Sequence, residues 1–152
     1  MPNNAPEVIF YDIERGELNS VAVGLLEKAY ASGKRCLFFS SSAERLKVVD
    51  KTLWTFSTNA FVPHGDRSVG FCEQQPIYLT DLVENPNKAE ILILLDSFDC
   101  QAWSDHSFER IMLLQEQGND PNSTNDLILD LQKKFKNVVY WKQVQKKWTK
   151  IA

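Results

Sequence analysis

An α/β fold, a three-layer sandwich around a mostly parallel sheet, is what this sequence predicts, and three observations predict it. Short continuous apolar runs, Cys36-Leu37-Phe38-Phe39 and Ile91-Leu92-Ile93-Leu94-Leu95 above all, have the pattern of strands covered on both faces. Between such runs lie stretches with apolar residues at helical spacing and capping signals at their starts. Strands that alternate with helices imply a parallel sheet with helices packed on it.

In chain order, Glu7-Val8-Ile9-Phe10-Tyr11 reads as a buried strand. Asn19 or Ser20 can cap the helix that follows, whose Val21, Leu25, Ala29 and Tyr30 recur at helical spacing. Gly33 stands where a left-handed residue would end that helix, and Cys36 to Phe39 forms the second strand. Ser41-x-x-Glu44 has the capping-box spacing and opens a second helix with Leu46, Val49, Leu53 and Trp54 on its apolar side. Pro63 and Gly65 break the chain, residues 65–75 form a polar loop, and Pro76 to Leu79 reads as an edge strand. Ile91 to Leu95 belongs at the sheet centre. Glu109 to Leu114 reads as a strand, with helix the alternative for Phe108 to Gln115. The cluster Asp120-Pro121-Asn122-Ser123-Thr124 caps a helix bearing Leu127, Ile128, Leu131 and Phe135, and Val138 to Trp141 closes the set as a last strand.

At 152 residues and 43% apolar composition the chain reads as one domain, residues 1–152, whose core needs neither metal nor disulfide. The cysteines Cys36, Cys72 and Cys100 are odd in number and widely spaced, as buried thiols of a reducing cytoplasm would be. With no signal-peptide pattern and no apolar run of about 20 residues, the expectation is a cytoplasmic protein without membrane contact. The net charge of −3 conceals a segregation: seven of 17 basic residues and none of 20 acidic ones follow Asp130. Residues 1–130 thus hold 10 basic against 20 acidic side chains, a formal −10 beside a +7 segment. A basic pole of this kind attracts phosphates, an acidic membrane surface or an acidic peptide. Tyr140, Trp141 and Trp148 interleave with its lysines and add stacking surfaces or apolar pockets. A frayed, solvated lysine-rich end is the plainer reading of the same residues.

Chemistry is hard to find. The first strand-to-helix junction, Asp12-Ile13-Glu14-Arg15-Gly16-Glu17, has one glycine and three acidic residues, which suits no phosphate loop. Ser40-Ser41-Ser42 reads as helix caps rather than an anion site. His64 and His106 are the only imidazoles, and neither has nucleophile-elbow or metal-ligand spacing. Asp96, Asp99 and His106, with Asp105 nearby, allow a Mg²⁺ or hydrolase reading, but their spacing is not diagnostic. No catalytic residue, cofactor or metal is expected.

The run Leu53-Trp54-Thr55-Phe56-Ser57-Thr58-Asn59-Ala60-Phe61-Val62-Pro63-His64 sets three large aromatics around a polar turn. Two readings are open: the rings fold back onto the core, or Trp54 and Phe61 form a rigid apolar patch for a partner.

Several motifs share an order and spacing: Gly33-Lys34-Arg35 before a strand, Ala43-Glu44-Arg45 opening a helix, Asp50-x-x-Leu53-Trp54-Thr55-Phe56 closing it, and Phe61-Val62-Pro63-His64 after it. With Pro76-Ile77 and Asn87-x-Ala89-x-Ile91-Leu92, the chain resembles, over residues 7–114, the chi subunit family of bacterial DNA polymerase III. The resemblance implies an α/β domain shaped like a nucleotide-binding unit but lacking a nucleotide site. It implies a non-catalytic accessory role in that DNA polymerase complex. The psi subunit would tie the chain to the clamp loader, and the acidic C-terminal tail of single-stranded DNA-binding protein would be its second partner. DNA would be contacted mainly through these partners, and a related helicase uses the psi-facing surface.

By the same resemblance, Trp54, Phe61, Val62 and Pro63 would face psi. The tail pocket of the family carries an Arg-x-x-Tyr/Trp-Lys pattern on the last helix, and here the chain departs from it. With Phe135-Lys136 as the aromatic-Lys pair, the Arg becomes Gln132; in the other register the pattern falls on Asp126, Leu129 and Asp130. Under either, Lys133, Lys134 and Lys136 are the expected cations for the tail, with Leu114 the apolar wall and Phe135 the aromatic contact of the first register. Lysines act as point charges, so binding there should be weaker and more salt-sensitive than at an arginine site. The alternative function is direct binding of single-stranded nucleic acid by the basic, tryptophan-bearing C-terminus.

Overall fold

The computed structural model describes residues 6–55, 76–95, 103, 108–117 and 121–151, with the backbone alone at 53–55 and 121–123. In chain order these form β1 (Glu7–Ile13), α1 (Leu18–Ala31), β2 (Cys36–Ser40), α2 (Ala43–Thr55), β3 (Ile77–Thr80) and β4 (Ile91–Leu95). They continue as β5 (Arg110–Glu116), α3 (Pro121–Lys134), β6 (Val138–Val144) and β7 (Lys147–Lys150). The strands make one sheet in the order β3-β2-β4-β5-β1-β6-β7, parallel throughout except for the antiparallel pair β6 and β7. The expected α/β sandwich with a mostly parallel sheet is therefore observed.

Alternation along the strands sends side chains to two separate cores. On one face Ile13, Cys36, Phe38, Ile93, Met112 and Leu114 pack against Leu18, Ala22 and Leu26 of α1 and Val49 of α2. On the other, Val8, Phe10, Leu37, Leu92, Leu113 and Tyr140 pack against Ile128 and Leu131 of α3, with Trp103 and Phe108. The Trp103 ring meets Phe39 edge-on at 5.3 Å and Phe108 at 6.0 Å, so the α3 face is closed by aromatic contacts.

Local signals are met to different degrees. Gly33 takes φ 80°, and its N–H donates to the Tyr30 carbonyl, as the expected left-handed end of α1 requires. Ser32 Oγ donates to the Ala29 carbonyl at 2.6 Å and accepts from Lys34 N–H at 3.4 Å, completing that cap. The other end of α1 differs from expectation. The helix begins at Leu18 with Glu17 as its N-cap, ahead of Asn19 and Ser20. Its buried stripe is Leu18, Ala22, Val23, Leu26 and Ala29, while Val21 and Leu25 are half-buried and Tyr30 is exposed. The cap of α2 is Ser42, one residue beyond the expected Ser41: its hydroxyl accepts from Arg45 N–H at 3.2 Å. Ser40, still within β2, accepts from Ser42 N–H at 3.1 Å, so the junction serines do cap the helix.

Pro76 precedes an edge strand, as expected, and its carbonyl accepts from Cys36 N–H. Residues 110–116 are strand, which resolves the helix alternative. That strand, β5, holds the middle of the sheet; Ile91–Leu95 is interior but lies beside it, between β2 and β5. Full burial marks a strand covered on both faces and does not fix its place in the sheet: the edge strand β3 is buried at every residue as well. The Asn87 motif is structural: Asn87 Nδ2 donates to the Cys36 carbonyl at 3.3 Å, and Asn85 Oδ1 accepts from Ala89 N–H at 2.8 Å. Pro121 opens α3, where its missing N–H is harmless. Cys36 is a free thiol in the core; Cys72, Cys100, Asp120 and the 65–75 loop lie outside the described residues.

The largest departure is at the C-terminus. Residues 138–150 form a hairpin whose two turn residues, Gln145 and Lys146, both have positive φ (52° and 63°), as a two-residue hairpin turn demands. Neither is glycine or asparagine. The turn is held instead by the body of the protein: Lys146 N–H donates to Glu14 Oε1 at 2.7 Å, and Lys146 Nζ pairs with Glu17 at 3.6 Å.

Candidate functional site

In a parallel sheet, ligands bind beyond the strand C-termini where neighbouring strands send their connections in opposite directions. Here that point lies between β1, which crosses through α1 to β2, and β5, which crosses through α3 to β6. The crevice is filled by the protein itself. Gln117 N–H donates to the Ile13 carbonyl at 2.6 Å, and its Nε2 donates to the carbonyls of Asp12 (3.2 Å) and Gln143 (2.7 Å). Gln143 Oε1 accepts from Glu14 N–H, Glu116 Oε2 from Gly16 N–H, and the Gln117 carbonyl from Arg15 Nε. Glu14, Glu17 and Glu116 add negative charge where a phosphate would need donors. Among the described residues no cluster of His, Cys, Asp or Glu could hold a metal ion. The imidazoles His64 and His106 and the carboxylates Asp96, Asp99 and Asp105 lie outside those residues.

Beside this crevice, on the α3 face, Asp12 is only 6% exposed. Its Oδ2 accepts from the Tyr140 hydroxyl at 3.2 Å, while Oδ1 has no partner among the described residues. Burial raises the Asp12 pKa above the usual carboxylate value, against the opposing effects of the Tyr140 hydrogen bond and the Lys142 charge. Burial and the Asp12 charge together push Tyr140 up to about 12. The folded state thus binds the Asp12 proton more tightly than the unfolded chain does. Its stability contribution is present below the unfolded value near 3.9 and is lost as pH rises through the folded pKa. Asp12→Asn, which keeps an acceptor for Tyr140, should become progressively more stable than wild type across that window. Paired urea titrations from pH 4 to pH 7 check this (roughly the carboxylate range); a stability difference that stays flat with pH would contradict it.

On the α1 face the hairpin extends the sheet past its helical cover and leaves a groove. Tyr11 of β1, Val21, Gly24, Leu25 and Lys28 of α1, Trp141 of β6 and Trp148 of β7 enclose a volume of about 400 Å³. The Tyr11 and Trp148 rings meet edge-to-face at 5.5 Å, and Trp148 remains 37% exposed. Lys150 is paired with Trp141 in the β6–β7 register, so its side chain leaves the sheet on the same face. Gly24 lies inside a helix, where glycine is about 1 kcal/mol less favourable than alanine. Among the described residues a Cβ at Gly24 would meet no atom of another element within 4 Å, so no close packing seen there requires glycine. The sequence flagged the tryptophans and lysines; the aromatic partner on β1 and the helical wall were missed because they are remote in the chain.

The expected psi-facing residues are placed only in part. Trp54 lies in the last turn of α2, and its side chain, like Phe61, Val62 and Pro63, falls outside the described residues. Of the expected tail contacts, Lys133, Lys134 and Lys136 are exposed at the end of α3, with Lys134 paired to Asp130 at 3.1 Å. Phe135 is half-buried against the α3-side core. Leu114 does not join them, which corrects the expected grouping. It is 1% exposed and belongs to the core under α1 and α2, on the opposite face of the sheet. The β5 side chains that face α3 are Ile111 and Leu113, with Gln115 donating to Thr124 Oγ1 at 3.0 Å. Among the described residues no helix is long and apolar enough to cross a membrane.

Residues 5–127 match the family described as DNA polymerase III chi subunit, HolC. A protein of Rickettsia prowazekii (strain Madrid E), named Probable DNA polymerase III subunit chi, is 35% identical over 75 residues. That match covers 49% of this chain and 46% of the relative, so it spans about half of each. With most of its length matched to one family, the chain belongs to the DNA polymerase III chi subunit family.

Proposed function

We propose that this chain is a non-catalytic accessory subunit of the DNA polymerase III holoenzyme in DNA replication. It would bridge the clamp loader, through psi, to the acidic C-terminal tail of single-stranded DNA-binding protein. The observation that carries the reading is the family match over residues 5–127. A crevice closed by Gln117 and Gln143 and lined with carboxylates supports it, because among the described residues there the backbone N–H groups of Glu14, Gly16 and Gln117 are already bonded within the protein. DNA is reached mainly through these partners, and the psi-facing surface around Trp54, Phe61, Val62 and Pro63 is the one a related helicase would share.

For the tail, the exposed Lys133, Lys134 and Lys136 supply the cations. With Leu114 on the far face, the apolar contact falls to Leu129, which is 56% exposed and one helical turn before Lys133. Reversing Lys133, Lys134 and Lys136 to glutamate should weaken binding of the isolated tail peptide by about tenfold or more at low salt, and far less at high salt. Calorimetric titrations at two salt concentrations test it. Salt-independent binding, or full capture by the reversed variant, would remove this surface from the proposal. Co-purification of psi with the same variant is expected to be unaffected.

A further inference from the structure

We propose that the groove between α1 and the β6–β7 hairpin binds single-stranded nucleic acid, one base entering among Tyr11, Trp141 and Trp148 while neighbouring phosphates meet Lys28 and Lys150. The groove is on the face of the sheet opposite α3, so the proposal stands independently of the tail site and of the adaptor reading.

Three observations carry it. The first is the lining: two indoles and a phenol bound a volume of about 400 Å³, enough for a flat heterocycle. Bases of any sequence stack on such rings. Trp148 has unused surface for this, because it contacts Tyr11 only edge-to-face and stays 37% exposed. The second is charge. The side chains of Lys28 and Lys150 are exposed and enter no ion pair among the described residues, and no acidic residue follows Asp130. A −10 body does not by itself attract a polyanion, so the attraction is local, supplied by Lys150 of the basic segment and by Lys28 of α1 beside it. The third is Gly24, a poor helix former kept in the middle of α1 with open space where its side chain would be. That space is part of the groove.

An acidic peptide is the competing occupant. A carboxylate is best held by a guanidinium fork, and the lining contains no arginine. A nucleic acid needs only point charges beside stacking surfaces, which is what the groove supplies.

The test uses the full chain and a fluorescently labelled short oligothymidylate at low and moderate salt, read by anisotropy, with an acidic peptide as the second probe. Wild type is expected to bind the oligonucleotide with an affinity that falls as salt rises. Trp148→Ala should reduce affinity by about tenfold. Since losing that ring can also loosen the hairpin, Gly24→Leu provides the second variant: it fills the groove from α1, should raise thermal stability, and should lose binding to a similar extent. Lys28→Glu with Lys150→Glu should weaken binding strongly, whereas the charge-matched pair Lys47→Glu with Lys88→Glu should change it by less than about twofold. The proposal is overturned if wild type shows no oligonucleotide binding at low salt. Equal losses from the two charge-reversal pairs would overturn it as well, as would binding that Gly24→Leu leaves intact. Groove-dependent binding of the acidic peptide without the oligonucleotide would assign the site to the other occupant.

Discussion

Trp54→Ala is expected to weaken psi binding by roughly 2 to 4 kcal/mol, on the order of 30- to 700-fold in Kd, while leaving the domain folded. The residue stands in the last turn of α2, beyond Val49, the fully buried side chain that fixes this helix to the sheet. On the docking reading, truncation there would remove an aromatic anchor while Val49 keeps the helix on the sheet. An indole has few rotatable bonds, so little conformational entropy is lost when it docks. Phe61→Ala should act in the same direction. Titration of psi against wild type and both variants, with thermal unfolding as the control, tests the docking assignment. Unchanged affinity in Trp54→Ala would refute it, and a collapse in thermal stability would return the ring to the core.

Phe10→Ala should do the reverse, lowering stability by about 3 to 5 kcal/mol with no direct effect on any docking surface. Phe10 is fully buried on β1, between β5 and β6, and meets the Tyr140 ring edge-on at 5.5 Å. Removing it leaves a cavity that neighbouring strands, fixed by hydrogen bonds on both sides, cannot close by sliding. Since whole domains are stable by only about 5 to 15 kcal/mol, the loss would be a large share of the total. Urea unfolding measures it directly. A change below about 1 kcal/mol would mean that α3 relaxes into the space.

How much of this was legible depended on the range over which each signal acts. Ile91–Leu95 and Cys36–Ser40 read as buried strands because an unbroken apolar run describes its own environment. Gly33 announced its left-handed turn for the same local reason. The stripe of α3 was legible too, since Ile128 and Leu131 are buried and Leu127 and Phe135 pack beside them. The stripe of α1 was not. Val21 and Leu25 have the spacing of a core face, yet the sheet claims Leu18, Ala22 and Leu26, and the first pair is left at the groove. The hairpin was hidden for a related reason: Gln145 and Lys146 carry no turn signature, and the contacts that hold them come from Glu14 and Glu17, some 130 residues away in the chain. Asp12 and Tyr140 were equally unpaired in the sequence until β1 and β6 became neighbours.

By itself the sequence determined the α/β alternation, the missing phosphate loop, the basic C-terminal pole and the motifs that carry the family. All of these are properties of short windows or of composition. The tertiary structure alone decided which layer receives which residue. Alternation on β5 requires Leu113 and Leu114 to point to opposite faces. It does not say which one meets α3; the direction in which α3 crosses the sheet does, and it selects Leu113. The same crossing places the lysines of α3 on one side and the aromatic groove on the other. A chain read as one basic pole thereby folds into two cationic surfaces on opposite faces of the sheet.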